Sequence, residues 1–411
     1  MTAPATTVEI VFDETPVLSG DGFTLDDSTK GVLNNPYFVL DGHLQFVDVT
    51  SDVEDVSVSR GRSRQLDQYS AGTAQITLAN DSRAYDPLNT ASAYYPYVIP
   101  KRYVRIKTNG ISIFAGQIND WSLQYLQPQD SKVSASCSDS FSLLANQTID
   151  AFTPDQESTG TRISTILNRP EIDFTATSVS LDTGVSTLGA FPITDNTNAL
   201  SYMRQIEKSE QGFFFTSADN TLTFKDRSSV LAQTGSVAFS DDGTGTCSYM
   251  TLDVETSDEL IFNRVVAESP AGAEQIASDT TSIDKYDTIT LSMNDLLNAT
   301  TGEVASLAAL LLQTYREPEV RFTGITQQMQ ALSGGVQNLL LGLDLTDLAT
   351  VKRTYTVGSP ASVTKYVTIE GISHSISPGS HTISYRLGSL SQVGFILDSG
   401  VFGLLDVATL T

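Results

Sequence analysis

The sequence is short of the residue types that most often carry chemistry. Its 411 residues include 2 cysteines, 3 histidines and 1 tryptophan. Cys137 and Cys247 lie far apart, with no C-x-x-C knuckle and no disulfide framework, and are expected to be buried free thiols. His43, His374 and His381 are few for a zinc enzyme. His374 and His381 suit diagonal neighbours on one hairpin face, with Ile376 and Ile383 beside them, but no third ligand stands nearby, so no metal site is expected. The single Trp121 argues against a cleft that stacks sugars. No G-x-S-x-G elbow, Walker loop, H-E-x-x-H or G-x-G-x-x-G occurs, so neither a catalytic residue nor a cofactor is expected. The stretch Asp241-Asp242-Gly243-Thr244-Gly245-Thr246 lacks the lysine of a phosphate loop and reads as a surface turn. No apolar run approaches the ~20 residues that span a bilayer. Met1 to Thr7 carries neither basic residues nor an apolar stretch. Synthesis in a cytoplasm, without stable membrane insertion, is the expectation.

Basic residues are also scarce: 24 against 48 acidic ones, a net charge of −24. Gripping nucleic acid requires a basic face that neutralises phosphates, and this balance has the opposite sign. A surface so acidic stays soluble and repels DNA. With 48 carboxylates, any one pair of them is uninformative about glycosidase chemistry.

What is present is material for strands. Hydrophobic residues make up 40% of the chain, enough to bury cores, and the length suits two to four domains. Val56 to Arg60 and Thr73 to Leu78 alternate, as half-buried strands do. Asn109-Gly110, between Tyr103–Lys107 and Ile111–Ala115, accepts positive φ at both turn positions and predicts a hairpin. In the middle, Thr161–Leu167 and Asn198–Glu207 have helical spacing, with Asn198 as cap; the hairpin Phe213–Lys225 follows. Further on, Ile261–Ala267, Asp287–Leu291, Lys365–Glu370 and His381–Leu387 read as strands, the last two joined through Pro378-Gly379. A helix from Glu303 to Tyr315 interrupts them, with Val304, Leu307, Leu311 and Tyr315 facing a core. The expected fold class is mainly β with some α: two small β-barrel-like modules bracketing an α+β domain.

One internal repeat stands out. Gly22-Phe23-x-Leu25-Asp26, with Gly31 and Leu33, returns as Gly394-Phe395-x-Leu397-Asp398, with Gly403 and Leu405. In an extended strand Phe and Leu two apart share one face, and the Asp can close a turn.

The stretch from Val56 to Pro87 resembles a known family. A strand ends in Arg60-Gly61-Arg62, a Ser63-x-x-Leu66-Asp67 loop follows, and Ala71-Gly72-Thr73-Ala74 opens the next strand. An Asn80-Asp81 turn and Asp86-Pro87 close it. Further matches, in order, are Pro100-Lys101-Arg102, Phe114-Ala115-Gly116, Asp120-Trp121, Gly212 to Phe215, Lys225-Asp226-Arg227, Glu317-Pro318-Glu319, Leu341 to Asp347 and Ile369 to Ser380. Together they resemble the minor tail proteins, or tail hub proteins, of siphophages, a family like the baseplate hubs of contractile phages. The resemblance implies a tail-hub fold and a homotrimeric ring at the distal end of the virion tail. Such a ring joins a sixfold tail to a threefold tip and leaves a channel through which genomic DNA passes without specific binding. Implied neighbours are a distal tail protein ring, a tape measure protein and a central fibre or other tail-tip proteins. On this plan residues 1–47 form an N-terminal docking arm, 48–150 a first β-barrel hub domain, 151–248 an α+β domain, 249–390 a second β-rich hub domain with one helix, and 391–411 a C-terminal docking arm. Phe23, Leu25, Asp26, Gly31, Leu33, Phe395, Leu397, Asp398, Gly403 and Leu405 would be the docking contacts. Arg60, Arg62, Arg64 and Asp67 would form an intersubunit charge loop. The alternative is another tail-tip protein, a distal tail protein or a receptor-binding adhesin.

Overall fold

A computed structural model describes residues 2–12, 46–126, 130–174, 178–231, 233, 235 and 237–390. Among the described residues strands account for 42% and helices for 19%, so the fold is mainly β with some α, and no closed barrel forms.

Thirteen of the described strands belong to one sheet. On its N-terminal side Val53–Gly61 pairs with Ser70–Ala79, and Asp130–Ser138, Ile111–Leu126, Arg102–Thr108, Thr6–Val11 and Phe46–Asp48 follow in that order. The first residues, expected to belong to an N-terminal docking arm, thus contain a strand. Val8 and Ile10 alternate into the core, and Thr6–Ile10 pairs antiparallel with Val104–Thr108. The Asn109-Gly110 hairpin forms as expected, with φ of 50° and 79°. Its tip is also a latch: Asn109 Oδ1 accepts the Ala5 N–H at 3.0 Å, and Asn109 Nδ2 donates to Asn338 Oδ1 at 2.9 Å.

The C-terminal side is built around the long strand Ser362–Ser377. Ser380–Ser389, Arg321–Gln328 and Thr251–Glu255 follow on one flank. On the other flank the strand is shared. Its first half pairs with Leu348–Thr354, and Gly371–Ile376 pairs with Val56–Gly61. The register against Ser380–Ser389 slips between Ile369 and Gly371, leaving Glu370 as a bulge residue where one partner hands over to the other. The two β modules therefore meet edge to edge, and the large sheet runs through both.

Between them lies the α+β unit. Helices Thr159–Leu167 and Ala199–Glu210 pack beside a sheet with the order Ser178–Leu181, Thr221–Lys225, Phe213–Thr216. Asn198 caps the second helix by accepting the Ser201 N–H. Arg162, fully buried, donates to Glu157, to the Tyr202 hydroxyl and to the carbonyls of Asp155 and Gly189. One apolar core runs through both β modules and this unit.

The chain between the paired strands Thr251–Glu255 and Arg321–Gln328 forms its own small layer. Arg264–Ala267 lies between Gln275–Ser278 and Thr290–Met293 in a three-stranded sheet separate from the large one. Helix Thr301–Tyr315 covers it, burying Val304, Leu307, Leu311 and Tyr315 against Val265, Met293 and Leu296 in a second core. Thr300 caps that helix by accepting the Glu303 N–H.

Close approach at the module junction needs glycine. Gly61 has φ +104°, and a Cβ there would lie 2.5 Å from Gly371 Cα and nearer still to the Glu370 carbonyl. Gly61→Ala should therefore lower stability to urea by roughly 2–4 kcal/mol. Gly334→Ala puts its new carbon where no atom lies within 4 Å, and should change stability by under about 0.5 kcal/mol. Equal effects of the two substitutions would contradict the close approach.

Candidate functional site at the junction of the β modules

The charged loop after Val53–Gly61 occupies this junction. Arg60 Nη1 lies 2.7 Å from Asp344 Oδ1, with the Arg60 side chain buried. Arg62 Nε lies 2.5 Å from Glu370 Oε2, and both side chains are largely out of water. Arg62 also donates to the Asp67 carbonyl at 3.0 Å and lies over the Tyr69 ring. Arg64 reaches Glu259, an exposed pair linking the loop to the small second layer. These three arginines of the expected intersubunit loop thus find carboxylates of their own chain, and Asp67 contributes its backbone carbonyl. The ten expected docking contacts, from Phe23 to Leu33 and from Phe395 to Leu405, lie outside the described residues.

Charge alone does not stabilise such a junction. Burying two ions is expensive unless their remaining hydrogen-bonding capacity is met. Here it is met at both carboxylates. Glu370 Oε2 accepts from Arg62 and, at 3.1 Å, from the Tyr69 hydroxyl; Oε1 accepts from Thr368 at 2.7 Å. Burial and the nearby Glu370 charge push the Tyr69 hydroxyl well above its usual range, which keeps it a donor. Asp344 joins three units: it accepts from Arg60, from the Leu345 N–H, and from the Ala218 N–H of the α+β unit. Arg386 closes the back by donating to the carbonyls of Arg62 and Arg60. Its guanidinium fills the space that a Cβ on Gly371 would occupy.

Two further buried carboxylates border the cluster. Asp139 accepts the Gly72 and Phe141 N–H groups at 2.6 and 3.0 Å. Glu207 accepts the Phe214 N–H at 3.0 Å. Burial raises both carboxyls to about 7. Sequence reasoning singled out none of Glu370, Asp344, Arg386, Asp139 and Glu207 as site residues. The signal for the first two was present, because Glu370-Gly371 and Leu341 to Asp347 belong to the motifs that carried the resemblance.

Beside the cluster lies a cleft of about 520 Å³, lined among others by Arg62, Arg204, Glu207, Phe213, Tyr315 and Glu370. Of the three carboxylates that line it, Asp67, Glu207 and Glu370, the two buried ones already accept internal hydrogen bonds, so their geometry holds the fold together. Among the described residues no three His, Cys, Asp or Glu side chains gather as a metal would need, and no helix is long and apolar enough to cross a membrane. His374 and His381 are the diagonal neighbours expected, with ring nitrogens 3.0 Å apart and both rings buried. Burial, then the partner ring and Arg60, hold His374 well below its ordinary range, and burial brings His381 down to about 4. Cys137 and Cys247 are buried free thiols.

Two predictions follow from these groups. Arg62→Met leaves Glu370 buried beside no cation and should cost about 3–5 kcal/mol in urea unfolding, whereas Arg62→Met with Glu370→Leu should regain much of that loss. A double variant as unstable as the sum of the singles would contradict the pairing. The second concerns pH. Asp139 and Glu207, raised on folding, stabilise the fold fully below their unfolded values and lose that contribution as pH rises through about 7. The histidines, lowered on folding, act oppositely: their contribution is present above about 6.5 and is lost as pH falls toward about 4. Glu207→Gln removes one side of this balance. Relative to the parent it should be more stable at alkaline than at mildly acidic pH, by about 1–3 kcal/mol across the range, read from thermal melts at each pH. A difference independent of pH would refute the assignment.

No family model matches the chain, and no curated protein matches it by sequence. Solved structures do match. The tail protein from Neisseria meningitidis MC58 aligns at TM-score 0.56 with 11% identity, over 94% of this chain and 96% of its own. The 43 kDa tail protein of prophage MuSo2 from Shewanella oneidensis aligns at TM-score 0.53 with 13% identity, over 84% and 93%. A component of the Escherichia coli type VI secretion system, described as structurally similar to bacteriophage T4 tail proteins, aligns at 0.50 with 10% identity, over 83% and 74%. At such identities the likeness is one of fold, and along nearly its whole length the chain has the fold of phage tail proteins.

Proposed function

We propose that this chain is a structural tail hub protein of a long-tailed bacteriophage, acting by shape and not by catalysis. The observation that carries the reading is the end-to-end match to a phage tail protein, which covers 94% of one chain and 96% of the other. A match of that extent concerns the whole architecture and not one common module. The internal design agrees with it: two β modules joined edge to edge, with the carboxylates at their junction already holding internal partners.

On this reading three copies close into a ring at the distal end of the tail, and each copy supplies two β modules. A threefold ring then offers six similar positions to a sixfold tail. The net charge of −24 suits a channel that DNA crosses without adhering. The segments around Phe23 and Phe395 serve as docking arms, each presenting Phe and Leu to pockets on a neighbour such as a distal tail protein ring, where contact energy concentrates. A tape measure protein and a central fibre or other tip proteins are the remaining partners.

The test is an electron-microscopy map of the tail tip of particles containing the protein. Three copies around the tail axis at the distal end, with Phe23 and Phe395 in equivalent pockets of a hexameric neighbour, are expected. A location away from the distal end, or a lumen lined by Lys and Arg, would overturn the reading.

A further inference from the structure

With 48 carboxylates against 24 basic residues, two copies of this chain repel each other, so they meet most readily where carboxylates are missing. No Asp or Glu occurs from 87 to 119, in the first β module, and none from 348 to 369, in the second. These two stretches also carry the two most exposed large apolar side chains among the described residues, Leu88 at 81% and Val357 at 84%. Exposed apolar surface free of carboxylates, found once on each module, marks a place for contact with another protein surface.

Each patch is held in place by its own bonds. The Asp86 carboxylate accepts the Leu88 N–H at 2.8 Å and the Tyr125 hydroxyl at 3.2 Å, and it pairs with Arg83. Tyr125 is exposed and shares a strand face with Trp121, whose indole donates to the Ile99 carbonyl at 2.9 Å. Leu88, Tyr125 and Ile99 therefore line one exposed strip. Val357 stands at the tip of the hairpin formed by Leu348–Thr354 and Ser362–Ser377, in a loop that the Tyr355 N–H closes onto the Ala361 carbonyl at 2.8 Å. The flank of that tip is braced: Lys352 pairs with Asp242, Arg353 pairs with Asp241, and Tyr249 donates to the Lys352 carbonyl. The surroundings of the two patches are opposite in sign. The chain after Ile99 carries Lys101, Arg102, Arg105 and Lys107, against Glu9 and Asp120 on the strands paired with it, and Lys101 is exposed. Beside the hairpin, Asp241 and Asp242, with Asp253 and Glu255 of the edge strand that follows Tyr249, outnumber Lys352 and Arg353.

We infer that copies of this chain meet head to tail, with the hairpin tip of one copy seated on the Leu88–Tyr125–Ile99 strip of the next. The inference rests on the hub reading for its ring of three and names the surfaces that close it. The patches differ and lie on different modules, so every copy offers one of each, and contact of this heterologous kind closes into a ring when the rotation between copies divides a full turn. A different partner needs one such patch; a second copy needs two, oppositely charged around their edges, and both are present. The junction inside the chain uses Val56–Gly61 and Gly371–Ile376, which leaves strip and tip free for a neighbour. In the contact Val357 and the Tyr355 ring leave water against Leu88 and Tyr125, and the carboxylates beside the hairpin face the Lys101 side of the next copy.

Full-length Leu88→Cys and Val357→Cys proteins, treated with a short bismaleimide over a series of protein concentrations, test this; both sites are exposed, so the cores stay intact, and the native thiols are buried. Each variant alone should stay unlinked, the two co-expressed should give a linked dimer, and the double variant should give linked dimers and trimers but nothing longer. Val357→Asp should weaken the association by about tenfold or more, and adding Leu88→Lys to the same chain should restore it. Links between identical positions in a single variant, or a double variant that stays unlinked at every concentration, would overturn the inference. A trimer by mass that lacks the link between positions 88 and 357 would overturn it and leave the hub reading intact, since the map of the tail tip decides that reading separately.

Discussion

The rest of the structure depends on one buried ion pair, Arg62 with Glu370, set where a strand changes partner. Glu370 is the bulge residue of Ser362–Ser377, placed at the point where that strand passes from Leu348–Thr354 to Val53–Gly61. A bulge turns one side chain out of the regular alternation. Here that side chain is a carboxylate, and the donors that meet it come from both β modules. Such a pair contributes little net stability compared with apolar packing, but it penalises every arrangement in which one partner is missing. It therefore specifies how the modules register, while the continuous apolar core supplies the bulk of the free energy.

That division explains why some of the fold was legible in the sequence. Alternation over Thr73–Leu78 marked the strand Ser70–Ala79, where Ala74, Ile76 and Leu78 point inward, and Asn109-Gly110 marked its hairpin, because both signals are local. The helix ending at Tyr315 was legible for the same reason, with the four residues expected to face a core all buried. The helix Gly334–Leu341 was not, because two glycines open it and its placement comes from distant contacts such as the Tyr385 hydroxyl on the Leu340 carbonyl. Nor was it legible that Arg264–Ala267 and Thr290–Met293 leave the large sheet for one of their own. Strand propensity says that a segment will pair; it does not say with what.

The charged loop shows the same limit at the candidate site. Its arginines were visible as a basic cluster in an acidic chain, but their partners lie roughly 200 to 310 residues away in sequence. Once folded, three of the motifs that carried the family resemblance meet at one place: Arg60-Gly61-Arg62, the turn containing Asp344, and Glu370-Gly371. The glycines allow the strands to approach and the charges lock them there. The motifs thus describe how two β modules are joined.

The central claim is that this junction makes the two β modules one cooperative unit. Native-state hydrogen exchange across a denaturant series tests it most directly, by comparing peptides from Val53–Gly61 and Ser70–Ala79 with peptides from Ser362–Ser377 and Ser380–Ser389. The account predicts that all four strands lose protection together, with one opening free energy. Strands of one module opening well before those of the other would contradict it.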